Sequence, residues 1–279
     1  RAYADLAEQH EERTWSSNGT ANRVQRLPAG PVVVITPWNA PFMLATWKVA
    51  PALAAGNTVI LKPAEWSPLS ASLLADLADE AGLPPGVLNV VQGIGSEVGP
   101  PLTSDPRVRR ISFTGSPETA RLIGAAAAAN IVPFTAELGG KGALVVFADS
   151  DLEAAARTAA GQYDDSGQVC LAATRLLVEE SVADDFLERF GAHVDAHVLG
   201  DSHDDATTIT PMIHPVHLAR VEEFVERPDL RKRIREALSG VTDLERMAGK
   251  VGTMRVTPRD LAGLRRSLEQ LPEIRAAGL

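Results

Sequence analysis

A chain of 279 residues, 45% hydrophobic and 23% charged, has the balance of a globular protein and room for one large domain or two ordinary ones. Its formal charge of −9 argues against bulk attraction to nucleic acid or to an anionic membrane. One cysteine excludes an internal disulfide and fits a reducing cytoplasm. No apolar run approaches the roughly 18 residues of a membrane span. The first residues have no basic stretch followed by an apolar core, so they do not read as a secretory signal, and the missing initiator Met is expected of a fragment or an unusual start.

The charge is uneven along the chain. Residues 1–227 hold 16 basic against 29 acidic side chains, and residues 228–279 hold 11 against 7. An asymmetry of that size suggests separate pieces.

Taken in order, residues 31–36 form a short β-branched run bounded by Gly30 and Pro37, which predicts a buried strand. Apolar residues then recur at helical spacing over 42–53, with Gly56 as the stop, and 58–61 is a second strand. Ser67 is the expected N-cap and Pro68 the first residue of a helix running to Glu80. A third strand over 87–91 leads into a glycine-rich turn over 93–99. A fourth strand over 110–114 is followed by a helix from Pro117, and shorter strands are expected over 135–139 and 143–147. Ser150 is read as the cap of a helix to about Gly161, 174–178 as a strand, and Ser181 as the cap of a helix through Val198. A last helix of this part begins near Pro215. Strand and helix alternate throughout, which argues for an α/β fold with a parallel sheet covered on both faces.

Beyond Arg227 the pattern is helical alone. Leu230, Ile234, Leu238 and Val241 share a face, residues 242–245 form a capping box, and Thr257-Pro258 opens a helix carrying Leu261, Leu264, Leu268 and Leu271.

Several side chains could carry chemistry. Covalent chemistry at a carbonyl needs a nucleophile that makes a tetrahedral carbon, a donor that stabilises its oxyanion, and a base that activates water. Cys170 ends a turn rich in small residues, Ser166-Gly167-Gln168-Val169-Cys170. Taken singly, a lone cysteine is more often an inert small hydrophobe. Glu137 at a strand end is more often merely solvated, and Asn39 more often an ordinary turn residue. His193 and His197, four apart on an expected helix, lack an evident third ligand and read as surface histidines, as do His214 and His217. No metal is expected.

The combination changes the odds. Pro37-Trp38-Asn39, Lys62-Pro63-Ala64-Glu65, Phe113-Thr114-Gly115-Ser116, Glu137-Leu138-Gly139-Gly140-Lys141 and Gly167-Gln168-Val169-Cys170 stand in the order, and close to the spacing, of the aldehyde dehydrogenase superfamily, which this series resembles. The resemblance implies a Rossmann-like parallel sheet with an incomplete catalytic domain, followed by an all-helical tail. It implies that Cys170 forms the thiohemiacetal, that the Asn39 amide holds the oxyanion with the Cys170 backbone N–H, and that Glu137 activates water. It further implies a dinucleotide held by Thr36, Pro37, Trp38, Lys62, Glu65, Gly95, Gly99, Gly115, Ser116 and Leu138. A carboxylate that accepts from the ribose 2′-hydroxyl repels a 2′-phosphate, so Glu65 favours NAD, while Lys62 leaves NADP open. Without the resemblance, the glycines of 93–99 do not make the dinucleotide fingerprint. The segments 36–43 and 47–51 are similar to members that oxidise hydroxymuconic semialdehydes.

The sequence also departs from that family. Its Glu-x-Phe-Gly-Pro motif and its oligomerisation strand have no counterpart here, so weakened activity is the expectation. The family's homo-oligomer is therefore not carried over. Instead, Arg227-Pro228-Asp229-Leu230-Arg231, Pro258-Arg259-Asp260-Leu261, Leu264-Arg265-Arg266-Ser267-Leu268 and Leu271-Pro272-Glu273-Ile274-Arg275 resemble the helical core of MutS-type mismatch-repair proteins. The expected organisation is a dinucleotide-binding domain over 1–135, a partial catalytic domain over 136–226 and a MutS-like helical segment over 227–279. The expected partners are an aldehyde and NAD in the cytoplasm, with neither nucleic acid nor membrane engaged by the main domain. The rival readings are a non-catalytic dinucleotide-binding chain and a mismatch-repair scaffold with an unrelated extension.

Overall fold

After a short helix α1 (Ala2–Glu8), Asn18 and Gly19 take positive φ of 50° and 75° and turn the chain between antiparallel strands β1 (Arg13–Ser17) and β2 (Thr20–Val24). Asn-Gly is the pair that supplies a two-residue hairpin turn without a Cβ penalty at the second position. The computed structural model describes residues 2–9, 12–239 and 257–276, and the chain divides into two units, Arg1–Pro211 and Met212–Leu279.

In the first unit, strands β3 (Pro31–Ile35), β4 (Thr58–Lys62), β5 (Leu88–Val90), β6 (Arg110–Gly115) and β7 (Phe134–Leu138) form one parallel sheet in the order β5-β4-β3-β6-β7. The connecting helices are α2 (Pro41–Ala54), α3 (Leu69–Glu80), α4 (Gly95–Ser104) and α5 (Pro117–Ala129). Strand β3 reads as an unbroken apolar run because both of its faces are covered. Val32 and Val34 pack with Ala45, Val49 and Ala71 of α2 and α3, whereas Val33 and Ile35 pack with Phe113, Ala120 and Ile123 on the other side. The chain winds outward from β3 to β5, then returns to place β6 on β3's other edge. Strand order therefore reverses between β3 and β6, and in such sheets ligands bind in the crevice beyond the carboxyl ends at that switch point.

The rest of the unit is smaller. Parallel strands β8 (Ala143–Val146) and β9 (Arg175–Val178) carry helices α6 (Leu152–Ala160) and α7 (Ala183–Asp195) on one face, around Val146, Ala156, Ala159 and fully buried Phe186. The opposite face is bare: Val145, Phe147 and Leu177 are 51%, 60% and 53% exposed.

The second unit holds α8 (Pro215–Glu226), α9 (Pro228–Ser239) and α10 (Pro258–Ala276). Among the described residues beyond Arg227 the regular structure is helical, as the sequence implies. Leu230 of α9 is buried against Phe224 of α8. Thr257 caps α10, accepting from the Asp260 amide at 3.2 Å while its own N–H donates to the Asp260 carboxylate at 2.9 Å. Val241 and the capping box over 242–245 lie outside the described residues.

The expected caps fail at three serines. Pro68, not Ser67, precedes α3, and the Ser67 hydroxyl is buried without a hydrogen-bond partner among the described residues. Asp151 caps α6 by accepting from the Ala154 amide at 3.0 Å, while Ser150 accepts from the Phe147 amide. Helix α7 follows a short 3-10 turn, and Ser181 donates to the Glu179 carboxylate instead. The turn expected over 93–99 is helical from Gly95 onward, because burying Leu102 against the core overrides the poor helix propensity of its glycines and prolines.

Candidate active site

Every motif singled out in the sheet lies at a strand's carboxyl end. Strand β3 stops where Pro37 removes the ladder's next N–H donor, and the chain crosses the sheet end through Trp38 and Asn39 before Pro41 starts α2. The Thr36 amide still donates to the Lys62 carbonyl at 3.1 Å, but its hydroxyl is buried and has no hydrogen-bond partner among the described residues. The Thr114 hydroxyl, near the end of β6, is in the same condition. Two orphaned polar atoms flanking the switch point are what a polar ligand would satisfy.

Lys62 closes β4 and is 2% exposed; its Nζ donates to the Pro63 carbonyl at 2.9 Å and lies 3.7 Å from the Glu65 carboxylate. After β5, Gly93 has φ 144°, and a Cβ there would stand 2.4 Å from Val98, so the tight turn requires glycine. Gly95 and Gly99 face open space within 4 Å. After β6, a Cβ on Gly115 would sit 2.5 Å from the Phe113 ring, and Ser116 caps α5 by accepting from the Thr119 amide at 3.2 Å. These elements fit a dinucleotide: small residues and helix starts beyond the strand ends, a buried cation and a solvent-facing carboxylate.

Two of the three catalytic candidates share a cavity. Cys170, Glu137 and Leu138 line one cavity of about 850 Å³, together with Thr114 and with Lys48 and Trp47 of α2. Asn39 is tied to the same place, because its Nδ2 donates to the Gln168 carbonyl at 2.8 Å, two residues before Cys170. Gly140 carries the segment after β7 past the Cys170 loop; a Cβ there would lie 3.6 Å from the Cys170 carbonyl oxygen. Asn39 itself does not line that cavity, nor do Thr36, Pro37, Trp38, Lys62, Glu65, Gly95, Gly99, Gly115 and Ser116.

Lys48 was not singled out by the sequence. Its Nζ donates to Ser112 Oγ at 3.0 Å and to the Phe113 carbonyl at 3.4 Å. Burial pushes its pKa down, and the facing Glu137 carboxylate opposes that shift. The available signal was a lysine on a helix whose surrounding positions are apolar.

His193, His197, His214 and His217 are half-buried rather than superficial: His193 pairs with Glu153 at 2.8 Å, and His197 faces the Thr208 hydroxyl at 3.4 Å. Among the described residues no three His, Cys, Asp or Glu side chains gather as a metal would require, and no helix is long and apolar enough to cross a membrane.

The family model for the aldehyde dehydrogenase family matches residues 1–245, and the chain belongs to that family. A second model, MutS domain III, matches residues 217–278. The chain is 46% identical over 227 residues to the NADP/NAD-dependent aldehyde dehydrogenase PuuC of Escherichia coli, covering 80% of this chain and 46% of that protein. Its fold is similar to the crystal structure of an aldehyde dehydrogenase from Brucella melitensis biovar abortus, with a TM-score of 0.77, 40% identity, and coverage of 80% of this chain and 47% of that one. Betaine aldehyde dehydrogenase of Staphylococcus aureus, solved in complex with NAD+, gives a TM-score of 0.76 at 37% identity, covering 81% of this chain and 45% of that one. The chain thus spans about half the length of the relatives it matches.

Proposed function

We propose that this chain carries the machinery for oxidising an aldehyde to a carboxylic acid with NAD, NADP being the less favoured dinucleotide. The observation that carries the reading is the convergence of Cys170, Glu137 and the Asn39–Gln168 hydrogen bond on one sheet end. In this reading the Cys170 thiolate adds to the carbonyl carbon, and the negative charge passes to the oxygen, which the Asn39 amide and the Cys170 N–H hold. The bound dinucleotide supplies the hydride acceptor. Glu137 then takes a proton from water, the resulting hydroxide adds to the thioester carbon, and the Cys170 thiolate departs. Lys62 and Glu65 hold the adenosine ribose, while Thr36, Pro37, Trp38, Gly95, Gly99, Gly115, Ser116 and Leu138 border the remaining dinucleotide. Slow turnover is expected of this chain, whose β8–β9 sheet exposes Val145, Phe147 and Leu177 on one face.

The narrower parts of the reading are a cytoplasmic location, a dinucleotide-binding domain over 1–135, a partial catalytic domain over 136–226 and a hydroxymuconic-type semialdehyde as substrate. The deciding experiment labels Cys170 with iodoacetamide, with and without aldehyde and NAD, and follows NADH formation in wild type and Cys170→Ala. Protection by both ligands and thiol-dependent NADH formation support the reading. NADH formation that survives in Cys170→Ala would sink it. A panel in which simple aliphatic aldehydes outperform dicarboxylic semialdehydes removes the substrate assignment alone.

The MutS domain III match favours a second statement: residues 227–279 are a piece of different origin joined to the dehydrogenase portion. The change from net acidic to net basic composition near residue 227 supports it. The segment is expected to act as scaffold and to bind no duplex DNA, which a gel-shift assay of the full chain checks.

A further inference from the structure

We propose that Gln168 is a positioning residue that aims the Asn39 amide at the substrate's carbonyl oxygen, an inference resting on the reading of Cys170 as nucleophile and Asn39 as oxyanion donor. Ahead of Gln168, Asp165, Ser166 and Gly167 stand consecutively at positive φ of 50°, 59° and 73°. That region is unfavourable for Asp and Ser, and such a run persists only where surrounding contacts over-determine it. Here they do. The backbone N–H and the side-chain Nε2 of Gln168 both donate to the Asp165 carbonyl, at 3.1 and 2.8 Å. The Ser166 hydroxyl donates to the Thr210 carbonyl.

The locked turn presents the Gln168 carbonyl to Asn39, and this carbonyl accepts from Asn39 Nδ2 at 2.8 Å. A primary amide has two N–H bonds in one plane. Committing one of them to Gln168 fixes the direction of the other, which is the hydrogen the oxyanion needs. Cys170 follows on the same short run of backbone, so one clamp sets the donor and the sulfur relative to each other. Preorganised donors lose less on reaction than donors that must reorient.

The test uses the whole chain and needs no dinucleotide. Propionaldehyde adds to the Cys170 thiol: an Sγ–C bond forms, the carbonyl π bond breaks, and the thiol proton ends on the oxygen. The adduct shields Cys170 from iodoacetamide, so the aldehyde concentration giving half-protection reads its stability. Gln168→Leu removes the Nε2 donor and keeps the bulk. The expected result is a half-protection concentration raised about tenfold or more, with the aldehyde-free alkylation rate and its pH profile unchanged within about twofold. In an Asn39→Ala background, Gln168→Leu should add nothing, since both changes remove the same aimed hydrogen. Gln168→Asn, whose amide is one methylene short, is the second variant if the leucine form does not fold, and the same loss is expected. Additive losses, a shifted thiol pH profile or wild-type protection in these variants overturn the proposal alone. Failure of the wild type to be protected overturns the catalytic reading and this proposal together.

Discussion

The Lys62 ammonium lies 3.7 Å from the Glu65 carboxylate at the end of β4, the lysine buried and the glutamate open to solvent. On the proposed reading the two have separate duties: Lys62, anchored by its own backbone neighbour Pro63, brings positive charge, and Glu65 accepts from a sugar hydroxyl and repels a phosphate. Glu65→Ser should improve NADP binding relative to NAD by at least about tenfold, ~1.4 kcal/mol. Dinucleotide affinities from fluorescence titration check this. An unchanged ratio removes Glu65 from the ribose site.

A methyl group at position 115 has nowhere to go, because the Phe113 ring fills the space 2.5 Å away. Phe113 is itself buried in the core beneath β6, so its ring cannot swing outward. Gly115→Ala should cost about 1–3 kcal/mol of overpacking, read as a lower urea midpoint. A variant as stable as the wild type would show that this ring yields freely.

Asp105 ends α4 and receives the Arg107 guanidinium at 2.7 Å and the Arg107 backbone N–H at 2.9 Å. The guanidinium hydrogen bond, then the backbone one, holds the carboxyl down to about 2, from an ordinary 3.8. The charged form is therefore favoured by folding. Its contribution is complete above the ordinary value and is lost as the pH falls through about 2. Asp105→Asn should be less stable than wild type at pH 7, with the gap narrowing between pH 4 and pH 2. Urea melts at pH 7, 4 and 2.5 measure it, and a gap independent of pH contradicts the assignment.

The two faces of the β8–β9 sheet should respond oppositely. Phe186 of α7 is fully buried and stacks on Phe190 with ring centroids 6.1 Å apart, so Phe186→Ala should cost about 3–5 kcal/mol. Val145→Lys and Leu177→Lys on the bare face should change stability by no more than about 0.5 kcal/mol each while reducing aggregation in light scattering. A large destabilisation by the lysines would mean that this face is covered in solution.

The sheet strands were legible because their physical cause is local: a short β-branched run apolar on both faces and bounded by Gly30 and Pro37, as at Val32 to Ile35, reads as a doubly covered strand. Cap residues were less legible. Serine hydroxyls at 67, 150 and 181 each stand at a plausible helix start, yet neighbouring groups win or the helix begins elsewhere, as Asp151 shows at α6. The amino-terminal hairpin escaped notice although Asn18-Gly19 announces it, since its strands lack the apolar alternation that flags a half-buried sheet. Within the site, Cys170, Glu137 and Asn39 were found through motifs. Lys48 was not, because helical periodicity places a residue on a face without saying that a carboxylate lies opposite. The link from Gln168 to Asn39 likewise belongs to tertiary structure.

The Asn39–Gln168 hydrogen bond spans 129 residues of chain. A contact of such long sequence separation is repaid only after most of the intervening loop entropy has been spent. Intermediates with a formed sheet but an undocked Cys170 loop will therefore hold a thiol with no amide beside it. On refolding, aldehyde shielding of Cys170 should lag behind recovery of helical circular dichroism, and the lag times the docking of the last loop.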